Sequence, residues 1–79
     1  MDNESTVVIF RYWKGEVIAL FPYIPATRGH CLSYQHIGQH SGADYSGIVA
    51  TSRPATPKEY TALKTELQSI GYNLTILQR

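Results

Sequence analysis

Two stretches of this chain, Val7-Val8-Ile9-Phe10-Arg11-Tyr12-Trp13 and Glu16-Val17-Ile18-Ala19-Leu20-Phe21, are β-branched and aromatic and are separated only by Lys14-Gly15. Runs of that kind across a two-residue turn form a β-hairpin, with Gly15 supplying the positive φ that the turn needs. Alternate residues of a strand point to opposite sides. Val8, Phe10 and Tyr12 therefore share one face, and Val7, Ile9 and Trp13 the other; the return strand adds Ile18 and Leu20, then Val17, Ala19 and Phe21. A sheet with one wet face would alternate apolar and polar residues. This hairpin is apolar on both sides, so both faces must be covered.

The remainder supplies few elements for that task. Pro22 and Pro25 end the second strand, because proline cannot donate to a ladder. Cys31-Leu32-Ser33-Tyr34-Gln35-His36-Ile37 reads as a third strand, residues 38–47 as a glycine-rich loop, and Ile48-Val49-Ala50-Thr51 as a short fourth strand. Thr56-Pro57-Lys58-Glu59 is a capping box with proline at the first helical position. Tyr60, Leu63, Leu67 and Ile70 then recur at helical spacing, Gly71 stops the helix, and Tyr72-Asn73-Leu74-Thr75-Ile76-Leu77 alternates as a last strand. The expected fold is a single α+β domain over residues 1–79, a small antiparallel sheet in ββββαβ order with one helix on one face. That helix covers one face. The other face calls for a second copy of the chain, a long loop over it being the alternative.

Size points the same way. A chain of 79 residues buries only about 60% of its unfolded surface and usually needs a staple. A single cysteine, Cys31, rules out an intrachain disulfide and the cysteine-rich zinc sites. Association is the staple left, so a homo-oligomer, dimer or higher, is expected. Seven Lys+Arg against six Asp+Glu argue against general nucleic-acid binding or a membrane-surface role. No long apolar run or basic leader occurs, so a cytoplasmic protein with no membrane partner is expected.

The polar middle of the chain carries the functional signal. His30, His36 and His40 lie within eleven residues, interleaved with Tyr34, Gln35, Gln39, Ser41, Asp44 and Tyr45. Loops on a rigid sheet are where binding groups collect, although a plain solvated loop would read similarly. A metal site would draw on His36 and His40 with His30 and Asp44, but no recognised zinc spacing is present. Catalysis would use His36 and His40 as general acid and base on a phosphodiester. Binding without chemistry would use Tyr12, Trp13, Tyr34 and Tyr45 as stacking surfaces and Arg11, Arg28 and Arg53 as phosphate clamps. Gln39 and His40 would read polar edges of a small nucleotide-like ligand, with His36 among the binding residues. The last reading needs neither metal nor cofactor, and its pocket would form across a subunit interface.

Val8-Ile9-Phe10-Arg11, residues 16–22, residues 32–40 with Tyr-Gln-His-Ile-Gly-Gln-His, the Ala-Thr-Pro-Lys-Glu-Tyr helix start and residues 70–74 resemble a family of small proteins of phages and bacterial mobile elements. The resemblance spans roughly residues 7–79. By size and context the chain is also similar to phage anti-defence sponges, which sequester the nucleotide signals of bacterial immunity. This resemblance implies sequestration of a cyclic ADP-ribose isomer or a cyclic dinucleotide, without catalysis, in the bacterial host cytoplasm. The alternatives are an enzyme that cleaves such a signal with two histidines, and a protein–protein inhibitor of a host defence effector.

Overall fold

The computed structural model describes residues 5–26, 29–35 and 39–78, with the side chains of Gln39 and His40 excepted. Its hairpin is β1 (Thr6–Trp13) and β2 (Glu16–Pro25), in antiparallel register from Ile9 opposite Leu20 to Trp13 opposite Glu16. The turn holds Lys14 at φ 52° and Gly15 at φ 81°, the left-handed pair that a two-residue hairpin demands. Strands β3 (Cys31–Gln35) and β4 (Gln39–Ala43) extend the sheet beyond β2. On the other side, β1 pairs with two short strands, β5 (Arg53–Pro54) and β6 (Leu74–Leu77). The path is β4-β3-β2-β1-β5, with β6 beside the start of β1; β6 runs parallel to β1 and every other pairing is antiparallel.

Both faces of the hairpin are buried, as its two apolar alternations demand. On one face Val8, Phe10, Ala19, Phe21 and Tyr34 pack under the main helix, here α2 (Pro57–Ser69), through Tyr60, Leu63 and Leu67. The capping box is fully formed: the Glu59 amide donates to Thr56 Oγ1 at 3.3 Å, and the Thr56 amide donates to Glu59 Oε1 at 2.9 Å. At the other end the Tyr72 amide donates to the Leu67 carbonyl and the Gly71 amide to that of Gln68, both at 3.1 Å, with Gly71 at φ 115°. That reversal drops the Tyr72 ring onto Phe21, with centroids 5.2 Å apart. Ile70, expected in the apolar stripe, is instead 53% exposed, because the chain leaves the helix there and Tyr72 takes the inward position.

The opposite face holds a second core of Ile18, Leu20, Cys31, Ala43 and Ile48. Its cover is a short helix of the same chain, α1 (Tyr45–Ala50), whose Tyr45, Ile48 and Val49 turn onto the sheet. This corrects two expectations. Residues 38–47 are not all loop: Gln39–Ala43 form a strand, because Ser41, Gly42 and Ala43 find a ladder on β3, and Ser33 Oγ donates to the Ser41 carbonyl at 3.0 Å. Ile48–Ala50, expected as a strand, are helical, since spacing of three and four puts Tyr45, Ile48 and Val49 on one side. Tertiary contact overrides the β propensity of Ile48-Val49. The second strand also runs on to Pro25 through a register shift between Phe21 and Pro25, an irregularity where prolines are tolerated. The third strand is described over Cys31–Gln35, and the expected residues 36–37 lie outside the described residues.

Candidate functional site

Arg11 projects from β1 into the second core and is only 6% exposed. Its Nε donates to Ser52 Oγ at 2.8 Å, and its Nη2 to the carbonyls of Ser52 at 2.8 Å and Val49 at 3.0 Å. A cation on the last carbonyls of a helix satisfies groups that have no partner within it. Arg11, expected as a phosphate clamp, is therefore turned inward and ties the end of α1 to the sheet. Tyr34 is likewise inside. It is 2% exposed in the α2-side core, and its hydroxyl donates to Glu66 Oε2.

Arg53 lies at the far edge of the sheet. Its guanidinium makes a fork on Glu59, with Nη1 to Oε1 at 2.8 Å and Nη2 to Oε2 at 2.6 Å, and it stacks over the Tyr12 ring at 4.5 Å. The Arg53 hydrogen bond, with a lesser contribution from the Thr56 amide, pulls the Glu59 carboxyl down to about 2. With four strand steps between β4 and β5, Arg53 is roughly 19 Å across the sheet from β4. One chain does not bring them together.

What does converge lies on the α1 side of the sheet. A cleft of about 250 Å³ opens between β1, β3, β4 and the start of α1. Trp13 forms one wall, Ile18 and Ile48 contribute to the apolar lining, and Ser33, Ser41 and Gln35 line it from the two outer strands. Asp44 stands at its α1 side. Although Asp44 occupies the N-cap position of α1, its carboxylate makes no cap bond and is met by the Ser46 hydroxyl at 3.4 Å. Gly47 leaves that carboxylate room, since a Cβ there would overlap Asp44 Oδ2. The Lys14 ammonium rests over the Trp13 ring, 4.7 Å from its centroid. Tyr45 packs beside the second core next to the cleft.

Of the expected site residues, Trp13 lines the cleft and Tyr45 neighbours it; Arg11, Tyr34 and Arg53 are engaged elsewhere. Gln39 and His40 fall on β4, opposite Gln35 and Tyr34 in register, and nothing is described of their side chains. His36 and Arg28 lie outside the described residues. Sequence reasoning did not offer Lys14 or Ser33 for the site, and it weighed Asp44 only as a metal ligand. Lys14 carried a signal, because lysine is an unusual residue for the first central position of such a turn. Among the described residues no three His, Cys, Asp or Glu side chains gather as metal ligands. Burial raises the Cys31 thiol, which leaves it protonated and a poor nucleophile at neutral pH. No helix of the described residues is long and apolar enough to cross a membrane. A second groove, of about 270 Å³, runs between Glu16 and Val17 on one side and Glu59, Ala62 and Leu63 on the other. It has no aromatic wall, and Glu59 is already taken by Arg53 and Thr56.

No protein-family model, curated protein or solved structure matches this chain.

Proposed function

We propose that the protein binds a small nucleotide-derived ligand in the Trp13 cleft and sequesters it without chemistry. The observation that carries this reading is the composition of the cleft: one aromatic wall, an aliphatic lining, and directional polar groups at Ser41, Gln35 and Asp44, with the Ser33 hydroxyl bonded to Ser41 beneath them. Ligand sites combine a mostly apolar lining with a few placed polar groups, and a base stacked on an aromatic ring gains about 1–3 kcal/mol. A carboxylate such as Asp44 accepts hydrogen bonds from ribose hydroxyls, and the amide of Gln35 can both donate to and accept from a base edge. In the setting that the phage-family resemblance implies, the ligand is an immune signal of the bacterial cytoplasm, a cyclic ADP-ribose isomer or a cyclic dinucleotide.

The cleft is slightly smaller than the roughly 300–1,000 Å³ usual for ligand pockets. One chain therefore encloses a base and its sugar, and a second copy in a homo-oligomer completes the walls around the rest. To test the reading, purified protein is screened by thermal shift against ADP-ribose isomers, cyclic dinucleotides and common nucleotides. Any stabilising compound is then incubated, released by heating and chromatographed. Stabilisation with the compound recovered intact is the expected result. Recovery of a converted compound would replace the reading with an enzyme and put His36 and His40 first for substitution. No stabilisation by any compound would favour a protein partner.

A further inference from the structure

Lys14 is the described non-glycine residue with positive φ. Glycine, asparagine and aspartate are the residues that usually take the first central position of this turn, and a lysine there gives up backbone comfort. In that conformation its ammonium rests over Trp13, the aromatic wall of the cleft. A cation and a base that take the same face of a ring compete for it. At the α1 side stands the Asp44 carboxylate, which repels anions. Asp44 gives the cleft a hydroxyl-accepting side, and Trp13 links the cleft to the cation of the hairpin turn.

We propose that Lys14 is the specificity residue of the cleft: its ammonium is latched over Trp13, gives up the ring to a base, and moves to that ligand's phosphate. The inference rests on the nucleotide reading and narrows it to ligands that bring both parts at once. A nucleoside alone displaces the cation without giving it a partner. Inorganic phosphate alone gains the cation and no stacking. A nucleoside phosphate does both, and a flexible four-carbon lysine stem suits such a move better than a rigid fork.

Trp13 is the sole tryptophan of the chain, so its emission reports directly on the cleft wall. The experiment titrates adenosine, adenosine 5′-monophosphate and inorganic phosphate against the wild-type chain, Lys14→Asn and Lys14→Arg. Asparagine before Gly15 suits the turn, so K14N keeps the hairpin while removing the cation; far-UV circular dichroism verifies this. In the wild type the monophosphate is expected to quench Trp13 and to bind at least about ten-fold tighter than adenosine, the size of one charge-assisted contact. In K14N the monophosphate should weaken about ten-fold, whereas adenosine should tighten about two- to five-fold because no cation covers the ring. K14R should keep the preference for the monophosphate. If the monophosphate binds the wild type and K14N equally, or if adenosine weakens in K14N as well, the inference falls and the nucleotide reading stands. Absence of any Trp13 response to both nucleoside compounds would overturn the inference together with the reading on which it rests.

Discussion

Glu59 shows how much one side chain can do in a small domain. Its carboxylate closes the capping box of α2 and receives the fork of Arg53, joining the helix start to the β5 edge. Arg53 in turn lies flat on Tyr12 of β1. Because the folded carboxyl titrates at about 2, below its ordinary value of 4.5, the folded state favours the charged form. The stabilisation is present above pH 4.5 and is lost as pH falls from 4.5 toward 2. Glu59→Gln retains a capping-box residue and removes the titration. The melting temperature of the wild type should therefore fall more steeply across pH 4.5 to 2 than that of E59Q, as scanning calorimetry would record. Parallel pH profiles would show that Glu59 makes no contribution to acid stability.

Among the elements, α1 is the one that should not stand by itself. Six residues are far short of the about 12–15 that an isolated helix needs for even marginal stability. Two attachments compensate. Tyr45, Ile48 and Val49 pack on the second core, and Arg11 holds the carbonyls at the helix end. Losing a buried charged donor leaves carbonyls unsatisfied at about 1–3 kcal/mol each. Arg11→Met, which keeps much of the volume, should lower the unfolding free energy by about 2–4 kcal/mol in urea titration. Hydrogen exchange at the α1 amides should rise before that of β1 and β2. A loss below about 0.5 kcal/mol, the range of ordinary surface substitutions, would mean that packing alone holds the helix. Because Asp44 and Ile48 line the cleft, loosening α1 should weaken ligand binding in step.

At the scale of the whole molecule, the hairpin's second face is covered within one chain, so the monomer already buries Ile18, Leu20 and Cys31. Association is then proposed for the ligand site and not for the core. Light scattering after size exclusion should accordingly give a dimer or larger species at micromolar concentration, and an oligomer should be retained in R11M if α1 packing survives. A monomer that still binds its ligand would remove the second copy from the site. Much of this architecture was legible along the chain: the hairpin through its apolar alternation, α2 through Thr56, Glu59 and Gly71, and the last strand through Leu74 and Ile76. These signals are local, resting on side chains two to four residues apart and on the backbone conformations of single glycines. The strand at 39–43, the helix at 45–50 and the β5 pairing were not legible, because their residues are small, polar or β-branched and take their conformation from neighbours distant in sequence. The site followed the same division. Trp13 could be named from the sequence as a stacking surface. Only the fold, by turning Arg11 and Tyr34 inward, carrying Arg53 to the opposite edge and setting Lys14 over Trp13, decided which charged groups stand beside it, since a side chain's partners depend on strand order and register.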